Sequence, residues 1–196
     1  MQTNCYVITS DKYSGAVVID PGGGYAKISD YIKSNGKSVE AVLLTHGHFD
    51  HIANLGNFAE DGAKIYIHEK DNKMLNGRSS LAYQVGLKLP VINADFLVKD
   101  KDIITFGEMN FEVIHTPGHT EGSVCYLLND TYLFTGDTLF FESYGRTDLE
   151  GGSMEQIKYS LEQKLFTLPK DYIVYPGHEE QSTLFYEKEN NPIWDD

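Results

Sequence analysis

Seven residues of metal-ligand type fall at four places in this chain, and their spacing is its strongest chemical signal. The first place is Thr45-His46-Gly47-His48-Phe49-Asp50-His51, with three histidines and an aspartate within six residues. The other three are single: His119 in Thr116-Pro-Gly-His119, Asp137 in Thr135-Gly-Asp137 and His178 in Tyr175-Pro-Gly-His178. Each follows an apolar run that reads as a strand: Val42-Leu-Leu44, Val113-Ile114, Tyr132-Leu-Phe134 and Tyr172-Ile-Val174. A glycine stands directly before a histidine or aspartate in every case (Gly47, Gly118, Gly136, Gly177), which predicts a turn through backbone angles that other residues avoid. If these strands run together in sheets, their carboxyl ends bring the four loops to one edge, where open α/β folds bind ligands. Imidazole and carboxylate donors suit zinc, iron or manganese. Seven ligands are too many for one tetrahedral ion, but with one carboxylate shared they form two four-ligand sets. The pattern therefore predicts a dinuclear site. A lone Pro-Gly-His turn is more often a surface feature; it is the density of ligand types over 46–51 that singles out a metal. His68 is expected to open a polar helix, and His115 to end a strand beside the site.

The elements that must position these residues follow from periodicity. Residues 4–10 and 15–20 read as strands around a turn at 10–12, and Pro21-Gly-Gly-Gly24 opens a helix with Tyr25, Ile28, Tyr31 and Ile32 on its apolar face, ending near Gly36. A strand at 41–44 completes a βαβ unit and predicts a parallel pair. A short helix carries Ile52, Leu55, Phe58 and Ala59, and a strand spans 63–67. The second half reads as strands at about 95–98, 103–106, 109–115, 123–129 and 131–135 with antiparallel hairpin spacing. Ser153 starts a long helix with a capping-box Gln156, and with Met154, Ile157, Leu161, Leu165 and Leu168 at helical spacing. Residues 172–175 form a last strand before a short terminal helix. Residues 77–94 fit no element; stretches of that length are often binding loops. A two-layer sheet arrangement covered by helices fits these elements.

Composition narrows the function. With 16 basic and 29 acidic residues the net charge is −13, which repels phosphate backbones and anionic lipid, so neither nucleic acid nor a membrane is expected as a partner. No apolar run approaches the ~20 residues of a membrane span. The start, Met-Gln-Thr-Asn-Cys, lacks the pattern of a signal peptide, and a cytoplasmic location is expected. Cys5 and Cys125 lie in apolar strands and are read as free thiols. A chain of 196 residues suits one domain.

These motifs resemble those of the metallo-β-lactamase superfamily, marked by Thr-His-x-His-x-Asp-His after a strand. Within it the chain looks like the short glyoxalase II-like (hydroxyacylglutathione hydrolase-like) metallohydrolases. The likeness runs through Thr3-Asn-Cys-Tyr6, Val18-Ile-Asp-Pro-Gly22, Thr116-Pro-Gly-His-Thr120, Gly136-Asp-Thr-Leu-Phe140, Gly145-Arg-Thr-Asp148, Pro176-Gly-His178 and Glu189-Asn-Asn-Pro192. It implies an α/β fold, an αββα sandwich of two mixed sheets flanked by helices, over 1–196 as a single domain. It further implies His46, His48 and His119 on one metal, Asp50, His51 and His178 on a second, and Asp137 between them. Two divalent ions are implied, zinc first, with iron or manganese as alternatives.

Three departures from the family pattern bear on specificity. The chain starts almost on Thr3-Asn-Cys-Tyr6, so the first strand is expected to be short. It leaves no room for the helical C-terminal domain that holds much of the glutathione in full-length glyoxalase II. Where those enzymes carry an aromatic, this chain has Asp148. The expected reaction is hydrolysis of a small-molecule thioester, a metal-bound hydroxide attacking the acyl carbonyl and Asp50 orienting the nucleophile. Arg146 is a candidate for binding a substrate carboxylate, with an ion pair to Asp148 as its alternative; Tyr144 is a candidate substrate contact, with surface packing as its alternative. The rival activities are an iron-dependent persulfide dioxygenase, which shares the Gly-Arg-Thr-Asp loop and uses residues matching His46, His119 and Asp137, and a lactonase. Diiron oxygen reduction is disfavoured because that branch carries Glu where His48 stands. A binding module without activity is disfavoured by the seven intact candidate ligands. Oligomeric state is not legible.

Overall fold

In the computed structural model the described residues are 2–76 and 78–194, with Arg78 described by its backbone alone. They group into two compact units, Met1–Val98 with Thr105–Met109, and Lys99–Ile104 with Asn110–Asp196. Gly77, within the segment that fits no predicted element, lies outside the described residues.

In the first unit, β1 (Tyr6–Ser10) and β2 (Tyr13–Ile19) form the antiparallel hairpin. Helix α1 (Tyr25–Ser34) then crosses to β3 (Ser38–Leu43), which lies parallel to β2, as the βαβ spacing requires. Helices α2 (Phe49–Ile52) and α3 (Leu55–Glu60) lead to β4 (Lys64–His68), parallel to β3. Val17 and Val18 of β2, and Val42 and Leu43 of β3, are all inaccessible to solvent. Successive residues of a strand face opposite sides, so both faces are covered over the second halves of these strands, which is why those halves read as unbroken apolar runs. On one side, Val18, Val42, Leu44, Leu55, Phe58 and Ile65 form a core.

Three details differ from the periodicity. Tyr31 is 54% exposed and Ser29 takes the buried place on α1. At about 100° per residue, positions 29 and 31 flank the Tyr25–Ile28–Ile32 stripe on opposite sides, about 70° and about 90° from its centre, and the side of Ser29 is the one that is covered. His68 ends β4 instead of opening a helix. Strand β5 (Phe96–Val98) pairs parallel with β4, because the long 69–95 connection permits a crossover and not a hairpin. Within that connection lie short 3₁₀ turns at Asn72–Asn76, Arg78–Ser80 and Ala82–Val85.

The second sheet carries β6 (Ile103–Phe106), β7 (Met109–His115), β8 (Val124–Leu128), β9 (Tyr132–Gly136), β12 (Ile173–Pro176) and β13 (Ser182–Thr183), in the order β13-β12-β9-β8-β7-β6. A small separate hairpin, β10 (Leu139–Phe140) and β11 (Ser143–Tyr144), follows β9. Strands β7, β8 and β9 alternate in direction, while β9 and β12 are parallel. Hence β7, β9 and β12 all point one way, and the turns after them share an edge.

The helix after Ser153 is shorter than its apolar spacing suggests. Helix α4 (Met154–Tyr159) gives way to a π-helical turn, Ser160–Leu165. Ser153 Oγ accepts from the Gln156 N–H, as the capping pattern requires. Buried Ser160 donates to the Pro117 carbonyl at 2.7 Å, and the Phe166 N–H reaches back five residues to Leu161 at 2.8 Å. The wider turn places Leu161, Leu165 and Phe166 together in the core of this unit. Helix α5 (Leu184–Asn190) follows β13. Among the described residues, no helix is long and apolar enough to cross a membrane.

Candidate metal centre

The first unit presents His46 and His48 on the turn between β3 and α2, and Asp50 and His51 on α2 itself, and carboxylates from elsewhere in the unit help to orient them. Asp20, at the end of β2, is buried and sits in the left-handed backbone region at φ 51°. One of its oxygens accepts from the Thr45 N–H at 2.8 Å; the other accepts from Thr45 Oγ1 at 2.6 Å and from His51 Nδ1 at 2.9 Å. A carboxylate only accepts, so His51 carries its proton on Nδ1 and turns Nε2 toward a ligand. The single Thr45 hydroxyl proton is spent on Asp20. Its oxygen, 3.1 Å from His46 Nδ1, must therefore accept, which assigns the same tautomer to His46. Asp50 Oδ2 accepts from Thr3 Oγ1 at 3.0 Å. The imidazoles crowd closely, with ring centroids of His46 4.8 Å from His48 and 4.1 Å from His51.

Gly47 tests the turn hypothesis. It is not at positive φ; its requirement is space, since a methyl there would lie 2.5 Å from Met74 Cβ. Its N–H donates to the buried carboxylate of Asp71 at 3.2 Å.

The second unit presents His119, Asp137 and His178 from the turns after β7, β9 and β12. Asp137 Oδ2 lies 3.4 Å from His119 Nε2 and 3.5 Å from His178 Nε2. Two ligands of one tetrahedral ion with bonds of about 2.0–2.1 Å stand about 3.3 Å apart, so one oxygen at this distance from two imidazoles is placed to serve both. The His119 Nδ1–H donates to the Arg146 carbonyl at 2.8 Å, again leaving Nε2 toward the carboxylate. Backbone packing holds these turns. Gly118 has φ +139°, and a methyl on it would fall 2.2 Å from Ile157 N, while one on Gly145 would fall 1.9 Å from the Asp137 carbonyl.

The donors in each unit therefore fit divalent ions: His46 and His51 in the first and His119 in the second are held through Nδ1, and Asp137 stands between His119 and His178. Cys5 and Cys125 are free, and burial pushes each up to about 12, the nearby Asp20 adding to the effect at Cys5.

The remaining candidates are placed as follows. Arg146 makes a two-pronged pair with Asp148, Nε and Nη2 each donating at 2.7 Å, which holds the Asp148 carboxyl down at about 2. Both side chains are exposed. Tyr144 is half-buried, packed on the core of its own unit. His115 ends β7, with Nε2 3.0 Å from the Glu121 carbonyl. Asp20, Asp71 and Thr3 carry roles that spacing alone did not assign. Asp20 had a signal: a carboxylate closing an apolar strand, as Asp137 closes β9.

Comparison with known proteins places this site in its family. The model of the metallo-β-lactamase superfamily matches residues 1–178, and the chain belongs to that superfamily. Its fold is the metallo-β-lactamase fold, α/β with mixed sheets and flanking helices. The chain is 37% identical over 200 residues to YqgX, a probable metallo-hydrolase of Bacillus subtilis (strain 168), covering 98% of this chain and 92% of that protein. It is 33% identical over 201 residues to the hydroxyacylglutathione hydrolase GloC of Haemophilus influenzae, covering 98% and 92%. Among solved structures it resembles the BLEG-1 B3 metallo-β-lactamase (TM-score 0.90, 36% identity, 97% and 93% covered). It also resembles TTHA1623 in a di-iron-bound form (TM-score 0.85, 33% identity, 97% and 94% covered). The protein is a metal-dependent enzyme of the metallo-hydrolase type.

Proposed function

We propose that the two donor sets together hold two divalent ions and that the protein hydrolyses small-molecule thioesters. In this reading His46, His48 and His119 hold one ion, Asp50, His51 and His178 the other, and Asp137 serves both. The observation that carries the two-metal reading is the position of Asp137 Oδ2, within 3.5 Å of Nε2 on both His119 and His178. Likeness to GloC over 98% of the chain supports the thioester. When bound, such ions supply carbonyl polarisation and water activation near neutral pH. Asp50, steadied by Thr3, orients the attacking water. Asp20 and the Arg146 carbonyl keep His51 and His119 in the ligating tautomer. The thiolate leaves without a general acid, because it is already a stable anion. Arg146 and Tyr144 contact the substrate, and Arg146 must exchange Asp148 for any substrate carboxylate. One acidic partner already neutralises this arginine, so selection for the two carboxylates of glutathione is weak.

The test is elemental analysis of metals per chain, followed by thioesters, lactones and glutathione persulfide on the same sample. Two metals with thioester turnover are expected. Oxygen consumption with persulfide would replace the reading by the dioxygenase, and lactone turnover alone by the lactonase. For one acyl group, kcat/KM on glutathione, coenzyme A and a simple thiol should agree within about a thousandfold.

A further inference from the structure

The segment that fits no predicted element borders an open cavity. Met74, Leu75, Ala82, Leu87, Leu89 and Pro90 make the apolar part of its lining, which Asn76, Ser80, Tyr83, Lys88 and Val91 complete, and its volume is about 170 Å³. The segment is seated on its unit: Leu89 packs on the core, and Pro90 lies so close to Gly56 of α3 that a methyl there would fall 2.8 Å from Pro90 Cγ. The cavity adjoins the metal-ligand turn through one side chain. Met74, in its wall, is the residue that a methyl on Gly47 would strike, at 2.5 Å from Cβ and 3.1 Å from Sδ, and Gly47 lies between His46 and His48. The residue opening the same 3₁₀ stretch follows Asp71, which holds the Gly47 N–H, so wall and turn are one assembly.

We propose that this cavity is an acyl subsite, taking an apolar group of about six carbons while the reacting carbonyl lies at the metal ligands. Size sets the number: an apolar cavity of about 150 Å³ holds benzene. Chemistry sets the class, because most of the lining side chains are apolar; Asn76 and Ser80 are the polar exceptions, together with Tyr83 and Lys88, which are exposed. The substrate is then a thioester of a medium, apolar acid, larger and less polar than a small hydroxyacyl group. The catalytic half of this inference rests on the thioester reading; the binding half does not.

Two measurements separate them. In protein carrying ¹³C-methyl methionine, hexanol should move the Met74 resonance and leave Met109 and Met154 in place. In turnover, kcat/KM should rise by about fourfold per methylene from acetyl to hexanoyl on one thiol carrier, on the order of 100-fold in all, and stop rising by decanoyl. Filling the cavity with Ala82→Phe, or from its rim with Leu87→Trp, should abolish the Met74 shift and bring the hexanoyl-to-acetyl ratio toward one. A Met74 resonance unmoved by hexanol overturns the cavity as a ligand site. A Met74 shift with hydrolysis independent of chain length overturns its assignment to the acyl group. A Met74 shift with no thioester hydrolysed leaves the apolar site standing and removes the thioester reading instead.

Discussion

In the first unit four candidate ligands come from one turn after β3 and the first residues of α2, and polar side chains aim them: Asp20 on Thr45 and His51, Asp71 on Gly47, Thr3 on Asp50. In the second unit three ligands come from three turns far apart in the chain, and they are held mainly by backbone against backbone, as Gly118 meets Ile157 and Gly145 meets Asp137. A local cluster crowds its ligands automatically but leaves their rotation and tautomer open, so buried carboxylates must settle both. A non-local set needs its turns brought to register, and close packing does that. The first half should therefore be sensitive to changes of side-chain polarity, and the second to an added methyl.

The largest effect expected is that of Asp137→Ala. A carboxylate serving two ions cannot be lost from one alone. Activity should fall beyond the roughly 100-fold typical of residues that merely support a ligand, and the metal count of both sites should drop. Retention of two metals per chain would show that Asp137 does not bridge.

Asp20→Asn probes the polar strategy of the first unit. An amide can donate as well as accept, so the tautomer of His51 is no longer dictated. Metal affinity should weaken by about 10–100-fold, with loss first from the site of His51 in a chelator titration. Equal loss from both sites would mean that Asp20 supports the fold and not one ligand.

An added methyl compares the two strategies directly. Gly118→Ala meets fixed backbone and a φ of +139°, and should cost roughly 2 kcal/mol or more in urea unfolding. Gly47→Ala meets the Met74 side chain from its Cβ outward but carries no penalty of positive φ, and should cost about 1 kcal/mol. The reverse ranking would break the comparison.

Alkali should act on both units alike through Cys5 and Cys125. Each thiol is raised from 9.0 to about 12 in the folded chain. The protonated form belongs to the fold, so this stability is whole below pH 9 and is lost as pH rises toward 12. Each thiol should weaken the folding equilibrium about tenfold by pH 10. Cys125→Ala should flatten that decline, and an unchanged slope would refute the assignment. The smallest effect is reserved for Arg146→Ala, whose exposed pair with Asp148 should leave the urea midpoint unmoved.

The legible parts of the molecule share a physical character. Strands β2 and β3 were readable because both faces of their second halves are buried, so Ala16–Ile19 and Ala41–Leu43 are apolar without interruption. The cluster at 46–51 was readable because ligands that share a turn also share a stretch of sequence. The π turn at 160–165 was not, since Leu161 and Leu165 keep helical spacing whether the ring closes over four residues or five. Nor was Asp20 readable as the partner of His51, because a carboxylate at a strand end has many uses until its neighbours are known.

The sequence by itself determined which donor types are present, that each follows a strand, and the parallel βαβ pairing that carries the first group, because these depend on local pattern and chain connectivity. Only the tertiary structure decided that β7, β9 and β12 run the same way, that His119 and His178 flank one oxygen of Asp137, and which nitrogen each oriented imidazole presents. Those are set by strand order and by hydrogen bonds between residues distant in sequence, and no periodicity along the chain records either.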